Sequence, residues 1–205
     1  SFGADNRSLV YSSERNGKRD LYIAKISRKE DLNFPNATLI EEEPLIHDKK
    51  LERDYPQFSP DGKVVAFIED RNRLMVVNLD TKKIRQVTDG STWYTRSGGF
   101  DYSWSPDGKW FTLEFIGNKH DPYSDIGLVS ADGKGQIINL TNSGYTSGSP
   151  RWVMGGNAIL FITERYGMRN HASWGSLNDV MIAFLNQDAY DKFLSLIHIS
   201  EPTRQ

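Results

Sequence analysis

The sequence contains no cysteine, which excludes disulfides, thiolate metal sites and a cysteine nucleophile together. It also lacks any run near the roughly 18 apolar residues of a membrane helix, so no membrane span is predicted. The opening SFGADNRSLVY has neither the basic stretch nor the apolar run of a signal peptide; any such segment would lie upstream. An excess of one charge is missing too: 25 Lys and Arg face 27 Asp and Glu, for a net charge of −2. Without a basic cluster, nucleic acid is excluded as a partner. There is no Gly-x-Ser-x-Gly elbow and no Ser-x-x-Lys, and the glycine-rich pieces RSGG and GYTSGS do not lead from a strand into a helix. The chain is therefore read without a serine nucleophile, a phosphate loop or a cofactor site.

What is present is a soluble composition, 38% hydrophobic and 25% charged over 205 residues, and an internal repeat. FSPDGK occupies residues 58 to 63 and WSPDGK residues 104 to 109. WVMGGNAILFITERYG from Trp152 is a degenerate third copy, and FGADNRSLVYSSERNG from Phe2 a fourth, at intervals of 56, 46 and 48 residues. Further columns align behind the first. SERNGKRD (13 to 20) matches TERYGMRN (163 to 170), and an apolar segment follows an aspartate at Asp20, Asp125 and Asp179, with Arg73 in that place in the remaining copy. Units close on polar-ended segments such as IRQVTDG and IINLTNSG.

Ser-Pro-Asp-Gly is turn chemistry, because Pro presets φ at the second turn position and Gly accepts the left-handed conformation at the last. It is read as the hairpin between strands a and b of a four-stranded meander a to d, with no chemistry of its own. The following segments KVVAFIE, KWFTLEFI and NAILFIT are apolar on both alternating faces, as a sheet covered on both sides requires. Units of about 45 residues with four strands each predict an all-β fold, a β-propeller fragment of about four blades of four-stranded antiparallel sheet. The blades are placed at about 1–45, 54–90, 99–142 and 146–193, the first lacking its opening strand and the fourth its last. NQDAYDKF is expected to start a helix with Asn186 as N-cap.

The succession aromatic-Ser-Pro-Asp-Gly-Lys, Glu-Arg-Asn-Gly, Asp-Leu-Tyr resembles the propeller repeats of the TolB and tricorn protease group over residues 1 to 193. More narrowly, FDYSWSPDGKWFTLEFIGNKHDPYSDIGLVSADG and YGMRNHASWGSLNDVMIAFLNQDAYDKF resemble the propeller of Bacteroidetes tricorn-like serine peptidases. The resemblance implies a propeller that precedes a PDZ module and a peptidase domain related to the carboxy-terminal processing peptidases. It implies a peptide or protein substrate and a periplasmic location. It carries over no catalytic residue, since the matching domain lies outside this sequence. LSLIHISEPTR (194 to 204) fits no repeat column and resembles a translated sequencing adapter. Native sequence is thus expected to stop near Phe193, with 194–205 a non-native tail on a truncated metagenomic fragment.

His47, His120 and His171 have no metal-pair spacing and are read as structural or solvated. DPYSD (121 to 125) is read as a polar hairpin whose Asp125 caps the next strand, because calcium needs six or more oxygens. The recurring Glu14–Arg15 and Glu164–Arg165 are read as a structural ion pair or polar hairpin network. No catalytic, metal or cofactor residue is assigned. Function is expected on the side of the b–c and d–a connections, which are long, aromatic and basic, rather than on the tight a–b and c–d turns. The candidate peptide or partner face is Trp93, Tyr94, Arg96, His120, Tyr123, Tyr145, Tyr166, His171 and Trp174, against the alternative that such residues pack under their own loops. Three functions remain open: a peptide-guiding region of a serine peptidase, a TolB-like module binding protein or glycan, and the propeller of a prolyl-oligopeptidase-type enzyme.

Overall fold

The computed structural model describes the whole chain except residues 16, 47–50, 94–98, 118–120, 170–174 and 200–205. Among the described residues, fourteen strands form four sheets of three or four antiparallel strands. The first sheet is β1 (Ser8–Ser13), β2 (Asp20–Ile26) and β3 (Ile40–Pro44), and the second is β4 (Arg53–Phe58), β5 (Val64–Glu69), β6 (Arg73–Asn78) and β7 (Ile84–Gln86). The third is β8 (Tyr102–Trp104), β9 (Trp110–Phe115), β10 (Asp125–Ser130) and β11 (Ile138–Asn139), followed by β12 (Ser147–Val153), β13 (Ala158–Thr163) and β14 (Asp179–Phe184). Each sheet is a meander in chain order, as a propeller blade is.

The repeat is written into the strand register. Phe2 bridges Leu9, Phe58 pairs with Val65, Trp104 with Phe111 and Trp152 with Ile159, so each leading aromatic meets the residue seven positions on. The turn between them explains the constant spacing. Ser59 Oγ donates to Asp61 Oδ1 at 2.7 Å and accepts from Val64 N at 3.0 Å, while Asp61 Oδ1 also accepts from Lys63 N. Ser105, Asp107, Lys109 and Trp110 repeat those bonds. In the first copy Asn6 takes the glycine's place at φ 54°, which Asn tolerates better than most residues. Asp5 there accepts from the amides of Arg7 and Ser8. The copy at Trp152 has neither Ser nor Asp and turns instead through a short 3-10 segment, Met154–Gly156.

The chain divides into two compact units, Ser1–Phe100 with Val129–Gln136, and Asp101–Leu128 with Ile137–Gln205. In the first, Leu21 and Ile23 of β2 pack with Val65 and Phe67 of β5 and Met75 and Val77 of β6, with Phe58 against them. In the second, Ile126 and Leu128 of β10 pack with Ile159 and Phe161 of β13, with Trp152, Met181 and Ala183 against them. These are the same repeat positions. β5 is buried except at its first residue, Val64, and β9 except at Trp110 and Glu114, with Glu69 and Thr112 buried among the apolar residues.

After β14 the helix α1 spans Gln187–Ile199, and Asn186 Oδ1 accepts from Ala189 N at 2.9 Å as its cap. Phe184 packs its ring against Tyr190 and Phe193. Residues 194–199, the start of the adapter-like segment, continue this helix, with Leu196 62% exposed.

Candidate functional site

Of the nine candidate residues, Tyr94, Arg96, His120, His171 and Trp174 lie outside the described residues, as does His47. Trp93 is half-buried, its ring 5.8 Å from that of Phe100. In the second unit, Tyr123 and Tyr145 are half-buried, and Tyr166 is 69% exposed with the Arg165 guanidinium 5.6 Å from its ring. The antiparallel meander puts these three tyrosines on the b–c and d–a side: Tyr123 and Tyr166 follow β9 and β13, and Tyr145 precedes β12.

Among the described residues, the Glu-Arg repeat is a backbone turn whose neighbouring Glu and Arg do not pair with each other. Gly17 N donates to Glu14 O and Gly167 N to Glu164 O, and the amides of Arg15 and Arg165 meet the hydroxyls of Ser13 and Thr163. The side chains diverge. Glu14 takes Arg19 at 2.7 Å, whereas Arg15 takes Glu42 at 3.1 Å and lies 4.2 Å from the Tyr22 ring. Asp125 is buried and accepts from Thr141 Oγ1, Asn139 Nδ2 and Ser143 N, so it serves the next strand of its own sheet. Among the described residues no group of three or more His, Cys, Asp or Glu is placed to hold a metal ion.

A polar feature of the b–c and d–a side lies in the first unit. A cavity of about 310 Å³ is lined by Glu14, Arg19, Glu52, Arg53, Asp54, Ile68 and Arg71, from the b–c turns of two sheets and the start of β4. Arg53 forms its buried side, bonded to Glu69 and 3.4 Å from Asp20. Arg19 bridges Glu14 and Asp54 at 2.7 Å each, and these two carboxylates, Glu14 first, hold its guanidinium more firmly protonated than usual. Arg71 reaches Glu52 at 3.4 Å. The lining thus presents three carboxylates and three guanidiniums at fixed positions. The histidines and aromatics drew attention in the sequence, but the signal for this site is LERD (51 to 54) and EDRNR (69 to 73), charge clusters at strand ends.

The tight-turn side carries cavities at matching repeat positions. In the first unit one of about 460 Å³ is flanked by Asp61, Asp80, Lys63 and Lys82, with Phe58 and Leu79 in its lining. In the second unit one of about 490 Å³ has Trp110, Leu128, Ile138, Trp152 and Leu185 in its lining.

No family model matches the chain. It is 24% identical over 153 residues to the Tol-Pal system protein TolB of Francisella tularensis, spanning 71% of this chain and 31% of that one. A putative tricorn-like protease C-terminal subunit of Sulfurisphaera tokodaii is 27% identical over 141 residues, 66% of this chain and 15% of that one. The chain therefore spans less than a third of the length of either relative. Among solved structures, TolB from Acinetobacter baumannii superposes with a TM-score of 0.62 at 21% identity, covering 91% of this chain and 40% of that one. The tricorn protease superposes with a TM-score of 0.62 at 14% identity over 88% of this chain and 17% of that one. The chain is similar to TolB and tricorn propellers, and its fold is that of consecutive propeller blades.

Proposed function

We propose that this chain is a non-catalytic peptide-binding propeller region that guides extended peptides toward the catalytic domain of a tricorn-like serine peptidase. The observation that carries the reading is the charged cavity on the b–c and d–a side, whose carboxylates and guanidiniums suit the termini and charged side chains of a peptide. The loops on that side supply the remaining candidates, Trp93, Tyr94, Arg96, His120, Tyr123, Tyr145, Tyr166, His171 and Trp174, of the types that dominate binding energy when desolvated. The PDZ and peptidase domains and a periplasmic setting belong to the same proposal. A second reading, a TolB-like module that docks a protein, is favoured by the likeness to TolB over 91% of the chain.

The test is made in the full-length protein. Alanine at Trp93, Arg96 or Arg71 should lower kcat/KM for long unstructured peptides by about tenfold and leave short chromogenic ones unchanged, since only long substrates reach the propeller. Equal losses on both substrates, or losses only from changes at Asp61, Asp107 and Lys134 on the tight-turn side, would sink the reading. A full-length protein without peptidase activity that retains protein binding would establish the second reading instead.

A further inference from the structure

The two cavities of the tight-turn side occupy the same place in the repeat but differ in charge. In the first unit the lining holds three carboxylates, Asp5, Asp61 and Asp80, beside three ammonium groups, Lys25, Lys63 and Lys82. In the second unit, among the described residues, Asp107 is the single charged residue of the lining. The strand register gives the correspondence. Asp107 stands where Asp5 does and Trp110 where Ser8 does, counted from Trp104 and Phe2. Gly155 and Asn157 stand where Asp61 and Lys63 do, counted from Trp152 and Phe58. Ser130 takes the place of Lys25, each five residues after the aspartate that opens its strand. The second cavity thus has the carboxylate, no lysine in its wall, and an indole in place of a hydroxyl.

Its walls are held from within. Ser105 Oγ donates to Asp107 Oδ1 and accepts from Trp110 N, and Trp152 Nε1 donates to Ser103 O at 3.1 Å. The Asn157 amide bonds Met154 O and Asn186. These polar groups already have partners, so a guest meets apolar surface and one carboxylate edge. Asp107 Oδ1 also takes Lys109 N, while the exposed Lys109 ammonium stands 4.0 Å from Oδ2, a contact worth little in water. The Ser105 hydroxyl, then the Lys109 amide, hold the Asp107 carboxyl below its usual range, so it is charged at neutral pH. In the same lining Trp110, Ile138 and Leu185 are 38%, 52% and 37% exposed. The opening does not come from an unfilled strand position. In the first unit β7 completes the second sheet, yet none of its residues lines the equivalent cavity.

We propose that the cavity of the second unit binds an arginine side chain of a protein partner, with the guanidinium over Trp110 and donating to Asp107 Oδ2, the stem against Trp152, and a flanking aliphatic residue on Ile138 and Leu185. The missing internal cation sets the sign of the guest. A guanidinium suits the site better than an ammonium, because it is planar, stacks on an indole and gives up less hydration in an apolar pocket. A free amino acid is a poorer occupant, since its own ammonium and carboxylate would face apolar walls without partners. At about 490 Å³ the space lies within the range of about 300–1,000 Å³ typical of ligand sites and takes the flanking residue as well. The inference rests on this cavity alone and is independent of the charged cavity and of the peptide-guiding reading.

The probe is acetyl-Leu-Arg-Leu-amide, titrated into the 205-residue chain and followed by the indole N–H resonances of Trp110 and Trp152. Both should shift along one binding curve that weakens with added salt. The same peptide with citrulline in place of arginine keeps the shape without the charge and should bind about tenfold more weakly. Asp107→Asn and Trp110→Ser, the latter placing the first copy's residue in the second, should each weaken the arginine peptide by a similar factor. The citrulline comparison leaves the protein unaltered, so a folding defect cannot produce its result. The proposal is overturned if the two indoles do not shift, or if the citrulline peptide or a glutamate peptide binds as well as the arginine one. Equal binding of free arginine, or undiminished binding to Asp107→Asn, overturns it too.

Discussion

Arg53 Nε donates to Glu69 Oε2 at 3.1 Å, with the two side chains 1% and 6% exposed. The pair closes the buried side of the charged cavity and draws in Asp20 of the neighbouring sheet at 3.4 Å. Removing one member leaves the other charge buried without its main partner. Arg53→Ala should therefore destabilise the protein by about 3 kcal/mol, whereas the double change to Arg53→Met and Glu69→Leu should cost far less. Urea midpoints of the two variants check this, and equal losses would show that packing rather than charge dominates.

The hairpin aspartates tie stability to acid pH. The Ser59 and Ser105 hydroxyls, then the Lys63 and Lys109 amides, hold the Asp61 and Asp107 carboxyls below the usual range. A depressed folded value means that their contribution is fully present above the unfolded value of about 3.9 and is lost as pH falls through the folded one. Asp61→Asn with Asp107→Asn should flatten the acid limb of the Tm profile below about pH 4, with a cost at neutral pH of about 1 kcal/mol or less because both groups are exposed. An unchanged acid limb would remove these turns from the pH response.

Glu114 works in the other direction. Burial, and then the nearby Asp101 carboxylate, push its carboxyl up, while the Ser149 amide, donating to Oε1 at 2.6 Å, opposes them. The native state keeps this proton to higher pH than the unfolded chain does. Stability therefore falls as pH rises from the ordinary carboxyl value of about 4.3 through the raised one, then levels off. Glu114→Gln keeps an acceptor for Ser149 and should abolish that fall, giving a higher Tm than the parent at pH 7.5 and a smaller difference at pH 4. Parallel profiles for the two proteins would refute it.

Local chemistry explains what was legible. The Ser-Pro-Asp-Gly turns, the buried β5 and β9, the aspartate that opens three of the four c strands and the Asn186 cap depend on residues a few positions apart. Asp125 was legible as a structural group because its strand position repeats. The Glu14–Arg15 column was visible, but its side-chain partners were not. Glu42 lies 27 residues from Arg15, and nothing between them marks the pair.

The amino-acid sequence by itself determined the blade: its turns, its seven-residue pairing step and the apolar faces that stack, because hydrogen bonding and side-chain alternation act over short stretches. Only the tertiary structure decided where charge collects. Arg53 stands where the other copies have Gly99 and Ser147, and its partners Asp20 and Glu69 come from 33 and 16 residues away. A guanidinium can stay buried only where folding brings carboxylates to it from separate strands, and that convergence is a property of packing, not of any local pattern.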